Sequence, residues 1–162
     1  MIILGIDPGF SVTGFGIMRK ENGKTLILDY GALKMSSKDH LSRRIALFHD
    51  FFCTKIEKWG IQAIALETPF LGKNAQNFLK LGYLRGILYL LADRYKLELI
   101  ELSPRSIKLA VTGSGAAQKE QVARVIGQLF KGLAAPKTLD ITDALAVTLC
   151  GIWHQSKTRT LQ

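Results

Sequence analysis

Apolar residues recur along this chain with two distinct periods. Ile2-Ile3-Leu4-Gly5-Ile6 is an unbroken branched run ended by Asp7-Pro8-Gly9, and it predicts a buried central strand entering a turn. Val12 to Met18 and Thr25 to Leu33 read as two more strands, with Glu21-Asn22-Gly23 as the hairpin turn between them. From Lys38 to Trp59 the period changes: Leu41, Ile45, Phe48, Phe52 and Ile56 stand three and four residues apart, an amphipathic helix ended near Gly60. Ile61 to Leu66 returns to a buried strand, with Glu67 at its carboxyl end.

Asn74 to Tyr95 predicts a long helix whose apolar residues, Phe78, Leu81, Leu84, Ile87, Leu88 and Leu91 among them, cover more than one stripe. Such a helix is expected to be buried on two sides, one against its own core and one against a partner. Gly82 and Gly86, four apart, either permit close helix approach or are incidental. The expectation is a homodimer with Phe78, Leu81, Gly82 and Gly86 at its interface. Leu97 to Leu102 is a fifth strand, Ser103-Pro104 caps a short helix carrying Arg105 and Lys108, and Thr112-Gly113-Ser114-Gly115 is a loop. Helices over Gln118 to Phe130 and Leu139 to His154 complete an α/β fold around a five-stranded mixed sheet flanked by helices. No repeat or linker divides it, so residues 1–156 are expected to be one domain and 157–162 a loose basic tail.

Composition narrows the function. The 162 residues are 48% hydrophobic, too apolar for disorder, and no apolar run reaches the ~18 residues of a membrane span. Ile2 to Ile6 is too short for a signal-peptide core and lacks a basic flank, which points to the cytoplasm. Twenty-two Lys and Arg against 13 Asp and Glu give a net charge of +9 and a pI of about 9.7. Either the excess keeps the protein soluble or a polyanion is the partner. No acid lies between Glu67 and Asp93, where Lys73, Lys80 and Arg85 stand, and this favours the polyanion. Cys53 and Cys150 have no C-x-x-C spacing and read as reduced, structural thiols; Cys150 and His154 share a helical spacing but have no second pair to make a zinc site.

Four carboxylates stand out by position. Asp7 and Glu67 end apolar strands, where an unpaired charge is costly and neither strand carries a base to offset it. Asp140 and Asp143, one helical turn apart, project from one face and should repel. A divalent cation resolves both conflicts, and an all-oxygen ligand set selects magnesium or manganese. Two such ions can drive an in-line phosphoryl displacement. Taken singly, each residue has an ordinary alternative: Asp7 as a turn residue, Asp140 as a helix N-cap, Glu67 as a solvent-facing acid.

Three segments in order, Gly5-Ile6-Asp7-Pro8-Gly9 with Thr13-Gly14, Ala65-Leu66-Glu67 with Phe70 and Lys73-Asn74, and Asp140-Ile141-Thr142-Asp143-Ala144-Leu145-Ala146, give the chain its resemblance. It resembles the RuvC family of Holliday-junction resolvases over nearly its whole length. Leu81-Gly82, Arg85-Gly86 and Gly113-Ser114-Gly115 with Lys119 extend the match. The resemblance implies a ribonuclease-H-like fold, a homodimer, and magnesium held by Asp7, Glu67, Asp140 and Asp143, with manganese as a substitute. It implies symmetric cuts of two opposed strands of a four-way DNA junction, leaving ligatable 5′-phosphate and 3′-hydroxyl ends, in recombination and repair. It also implies cooperation with a branch-migration complex of the RuvA-RuvB type.

In the same resemblance, Phe70 matches an aromatic wedge that stacks on unpaired bases, its alternative being a core phenylalanine. Lys108 and Lys119 match lysines near the scissile phosphate, while Lys73, Lys80, Arg85 and Arg105 are candidate backbone contacts or solvated charges. Rival classes fare less well. A Walker A loop at Gly23-Lys24-Thr25 lacks its first glycine, because Met18 holds that place. An actin-like ATPase needs a longer chain, and a non-catalytic junction binder has no need of four acids. A related hydrolase of RNA in hybrids shares the acid set, and charge alone does not separate it.

Overall fold

The computed structural model of the chain describes residues 1–69, 75–131 and 139–160. Three antiparallel strands open the fold: β1 (Ile2–Asp7), β2 (Val12–Glu21) and β3 (Lys24–Lys34). Asn22 and Gly23 make the turn between β2 and β3 with positive φ at both, as a two-residue hairpin of this hand requires. After α1 (Leu41–Trp59) the chain adds β4 (Ala63–Glu67) parallel to β1, then α2 (Ala75–Arg94) and β5 (Glu98–Leu102) parallel to β4. The sheet order is β3-β2-β1-β4-β5, five strands and mixed, as the alternation of elements predicts. Three helices follow, α3 (Pro104–Thr112), α4 (Lys119–Leu129) and α5 (Leu139–Thr160).

Two-residue periodicity sorts the sheet into two cores. Leu4 and Ile6 of β1, Phe15 and Ile17 of β2, and Ile64 and Leu66 of β4 pack with Phe48, Phe52, Leu84 and Leu88 from α1 and α2. Ile3, Met18, Ala63, Ala65 and Ile100 point the other way, against Ile107, Val122, Leu145 and Leu149 from α3, α4 and α5. Because successive side chains alternate, Asp7 shares the face of Ile3 and Gly5, and Glu67 shares that of Ala63 and Ala65. Both acids therefore face the α5 side.

Helix boundaries follow local chemistry. Gly60 closes α1 in the left-handed region, its N–H bonded to the Ile56 carbonyl, and Ser103 accepts from the Ser106 N–H to start α3 with Pro104 in its first turn. Helix α1 begins at Leu41, three residues after the expected Lys38, because residues 37–39 form a turn. Helix α5 continues through Thr160, past the expected helix end at His154. Residues 155–160 contain neither glycine nor proline to stop it. Cys53 and Cys150 are both free, and burial pushes the Cys150 thiol up to about 12, leaving it inert at neutral pH.

Helix α5 lies unusually close to β1 and β2. A Cβ at Gly14 would strike the Asp140 carbonyl, one at Gly5 would strike Thr148, and one at Gly16 would sit 2.8 Å from Leu145 Cδ2. Thr148 uses the proximity, its hydroxyl donating to the Gly16 carbonyl at 3.2 Å and to the Ala144 carbonyl at 2.7 Å. Gly14→Ala is therefore expected to lower stability by about 2–4 kcal/mol, read as a drop in thermal midpoint by circular dichroism. Gly127→Ala, in open space on α4, should be neutral or raise it by up to ~1 kcal/mol. Equal midpoints for Gly14→Ala and the parent chain would refute this packing.

Candidate active site

The register of the two parallel strands brings the first two acids together. Ile6 of β1 pairs with Leu66 of β4, so one step further along both strands Asp7 stands beside Glu67 at their carboxyl ends. In open α/β sheets that edge is where ligands bind. Asp7 is not a turn residue: it pairs with Gly14 of β2, and the following loop is closed by Thr13 instead. The Gly9 N–H donates to the Thr13 hydroxyl at 3.1 Å, which donates back to the Gly9 carbonyl at 2.8 Å.

The second pair arrives with α5. The Asp140 carbonyl lies against Gly14, the residue paired with Asp7, and the aspartate is inside the first turn of the helix rather than ahead of it. Asp143 follows one turn later on the side of Asp7 and Glu67, and a cavity of about 180 Å³ is lined by Asp7, Glu67, Asp143, Lys108 and Lys119, with Ile107 and Val122 as walls. All four carboxylates are half-buried. A larger cavity of about 460 Å³ opens on the other side of Asp7 and Glu67, lined by Pro69, Phe78, Leu81, Gly82 and Tyr89.

Negative charge in this cluster is only partly offset. Lys119, at the start of α4, donates to Asp143 Oδ2 at 2.8 Å, and that contact raises the lysine pKa. Lys119 and Lys108 also lower the pKa of Glu67, but burial and Asp143 outweigh them and it stays raised. Asp7 is pushed up to about 7, by burial first and then by Asp143, with Glu67 and Asp140 adding to it against Lys119. Among the described residues no three carboxylate, imidazole or thiol groups already converge on one cation position. The donor set nevertheless fits a hard divalent ion: the ligands are all oxygen, crowded by their own repulsion, and one carboxylate is too buried to ionise readily alone.

A family profile described as crossover junction endodeoxyribonuclease RuvC matches residues 3–151. The chain belongs to the RuvC family. A RuvC crossover junction endodeoxyribonuclease of Chloroherpeton thalassium is 41% identical over 151 residues, covering 93% of this chain and 81% of that protein. The RuvC of Dictyoglomus thermophilum is 34% identical over 155 residues, covering 96% and 98%. Among solved structures, Thermus thermophilus RuvC superimposes with a TM-score of 0.86 at 25% identity, covering 98% and 97% of the two chains. The same protein in complex with a Holliday junction substrate gives 0.86 at 23% identity, covering 97% and 96%. The ribonuclease-H-like fold expected from sequence is thus the fold observed, and the family's members are metal-dependent nucleases.

The remaining candidate residues divide by position. Lys80 is exposed on α2 and Arg105 is exposed on α3, the stem of Arg105 resting over Gly115. Phe70 and Lys73 lie outside the described residues. Phe78, Leu81, Gly82 and Gly86 line the larger cavity beside Glu67. Arg85, expected as a backbone contact or a solvated charge, is instead buried. Its side chain is only 7% exposed, with Nη1 donating to the Glu67 carbonyl at 2.7 Å and Nη2 to the Tyr89 hydroxyl at 2.9 Å and to Glu101 Oε1.

Sequence reasoning also missed Arg44, which is buried, donates to the Phe10 carbonyl and stacks 4.0 Å over the Phe10 ring. It thereby pins the loop that follows Asp7. Its signal was present, because Arg44 stands four residues before Phe48 on the apolar stripe of α1. Tyr89 and Glu101 carried no comparable signal.

The raised pKa of Asp7 gives the metal-free protein a defined pH dependence. Its ordinary value is 3.8 and its folded value about 7, so the stability held by the neutral carboxyl is complete below pH ~4 and is lost as pH rises through ~7. Asp7→Asn cannot ionise. In chelator-treated protein its unfolding free energy, read from denaturant melts, should match the parent near pH 4 and exceed it near pH 8 by about 2–4 kcal/mol. A difference that stays constant across that range would contradict the burial described here.

Proposed function

We propose that this chain resolves four-way DNA junctions by paired, symmetric, magnesium-dependent nicks near the crossover, serving recombination and DNA repair. The observation that carries the reading is the gathering of Asp7, Glu67 and Asp143 with Lys108 and Lys119 around one small cavity at the carboxyl edge of the sheet. Family membership supplies the reaction class, and the Thermus thermophilus relative in complex with a Holliday junction substrate supports the substrate.

Asp7, Glu67, Asp140 and Asp143 would hold two magnesium ions, manganese being an alternative of the same hard class. When bound, such ions activate a water and neutralise charge on the leaving oxygen. Water adds to phosphorus, the bond to the 3′ oxygen breaks, and that oxygen takes a proton, leaving 5′-phosphate and 3′-hydroxyl ends. Lys119, 64% exposed beside Asp143, would meet the scissile phosphate together with Lys108, which lines the same cavity. Both would stabilise charge developing on the non-bridging oxygens. Lys73, Lys80 and Arg105 would follow the phosphate backbone, and Phe70 would stack on an unpaired base at the crossover.

Two nicks related by symmetry call for two copies of the site. Helix α2 buries Leu84, Leu88, Leu91 and Ala92 but leaves Leu79, Tyr83 and Leu90 exposed at spacings of four and seven. Gly86 stands between Tyr83 and Leu90 with nothing within 4 Å of where its Cβ would be. This face supports an isologous dimer, with Phe78, Leu81, Gly82 and Gly86 alongside the seam, and a dimer shares the two-fold symmetry of a junction. Action on DNA is compatible with a cytoplasmic protein that would work with a branch-migration complex of the RuvA-RuvB type.

Asp7→Asn should bind a synthetic four-way junction within a few-fold of the parent affinity. Its single-turnover cleavage in magnesium should fall by at least ~10²-fold, as loss of a group that acts only in the transition state requires. Parent-level cleavage by that variant would sink the assignment. Leu90→Glu should convert the protein to a monomer by light scattering at micromolar concentration, whereas a monomeric parent would remove the dimer.

A further inference from the structure

We propose that Arg85, together with Glu101 and Tyr89, is a positioning unit that holds Glu67 in place from behind the sheet, an inference that rests on Glu67 belonging to the active site. Leu66 pairs with Glu101 and Glu67 with Leu102 across β4 and β5. By alternation the Glu101 side chain points to the α2 face while that of Glu67 points to the α5 face. Arg85 comes up from α2 beneath this pair. One arm of its guanidinium takes the Glu67 main-chain carbonyl at 2.7 Å, and the other takes Glu101 and the Tyr89 hydroxyl.

Tyr89 closes the ring by donating to Glu101 Oε1 at 2.8 Å. The ladder itself ends here, with Thr68 N–H bonded to the Leu102 carbonyl at 2.8 Å and Pro69 next in the chain. A carboxylate on the last residue of a strand has no further ladder to fix it, and the arginine fork supplies the missing constraint. The fork is buried, with both Nη atoms hydrogen-bonded within the protein, so it contributes order to the site and not a contact to DNA. Its planar geometry matters, because a lysine at the same place is a point charge that cannot span the carbonyl and the carboxylate together.

Three variants test this. Arg85→Lys, Glu101→Gln and Tyr89→Phe should each leave the junction dissociation constant within about two-fold and leave its salt dependence unchanged. Each should slow single-turnover cleavage at saturating protein, by about 10–100-fold for Arg85→Lys, since misplacing a reacting group by ~1 Å costs of that order. The double variant Arg85→Lys with Glu101→Gln should be no slower than Arg85→Lys alone, because the two act through one network.

If instead Arg85→Lys weakens binding and lowers the salt slope by about one, with cleavage at saturation intact, Arg85 is a phosphate contact and the proposal is overturned. Should Arg85→Lys fail to fold by circular dichroism, Glu101→Gln and Tyr89→Phe decide alone, since both positions are partly exposed; parent rates in both overturn it. Glu67→Gln, assayed alongside, separates the two failures. Full activity there removes the site reading itself, whereas an inactive Glu67→Gln beside fully active network variants removes only this inference.

Discussion

The close seat of α5 on β1 and β2 is the constraint on which the rest of the structure depends. Three glycines, Gly5, Gly14 and Gly16, make room for the helix backbone, and Thr148 ties the contact with a hydrogen bond to the Gly16 carbonyl. Distance along a sheet is fixed by its ladder, but distance between layers is set by side-chain size, typically about 10 Å. Removing the side chains locally brings the helix backbone onto the strands. That is how Asp140 comes against the residue paired with Asp7, and how Asp143 comes within reach of Glu67. A fold with alanines at these places could keep its topology and still hold its acids too far apart.

The charge arrangement follows from that geometry. Four half-buried carboxylates face two lysines, one of which is already bonded to Asp143. The fold therefore stores repulsion at the edge of its sheet, and burial prevents water from screening it. Burial first, and then repulsion from Asp143, push the Asp7 carboxyl up to about 7. A site of this kind trades stability for readiness to receive positive charge, and the basic surface around it draws in the polyanion that such chemistry needs.

Much of this was legible in the chain. Strand and helix order, the caps at Gly60 and Ser103, and the four acids follow from periodicity and from the cost of placing charge at the end of an apolar strand. What escaped had physical reasons. Both faces of β1 and β4 are buried, so their residues are apolar throughout and nothing in the pattern says which way Asp7 and Glu67 point; only the partner helices decide it. Lys119 and Asp143 are 24 residues apart, a tie that exists only once α4 and α5 pack. Arg85 was read as a surface base, although it falls between Leu81 and Leu88 on one face of α2 at spacings of four and three, the mark of a buried position. Composition invites the assumption that arginines in a basic protein meet phosphate; Arg44 and Arg85 both turn inward to hold main-chain carbonyls.

The order of elements along the chain has a consequence for synthesis. Asp7 lies in the first strand and Glu67 in the fourth, but Asp140 and Asp143 belong to α5, which follows every other described element. The sheet can close before that helix leaves the ribosome, yet the cluster of acids is incomplete until it docks. Until α5 docks, only Asp7 and Glu67 of the four acids are in place. Placing two of the four acids on α5 makes completion of the cluster wait until that helix docks.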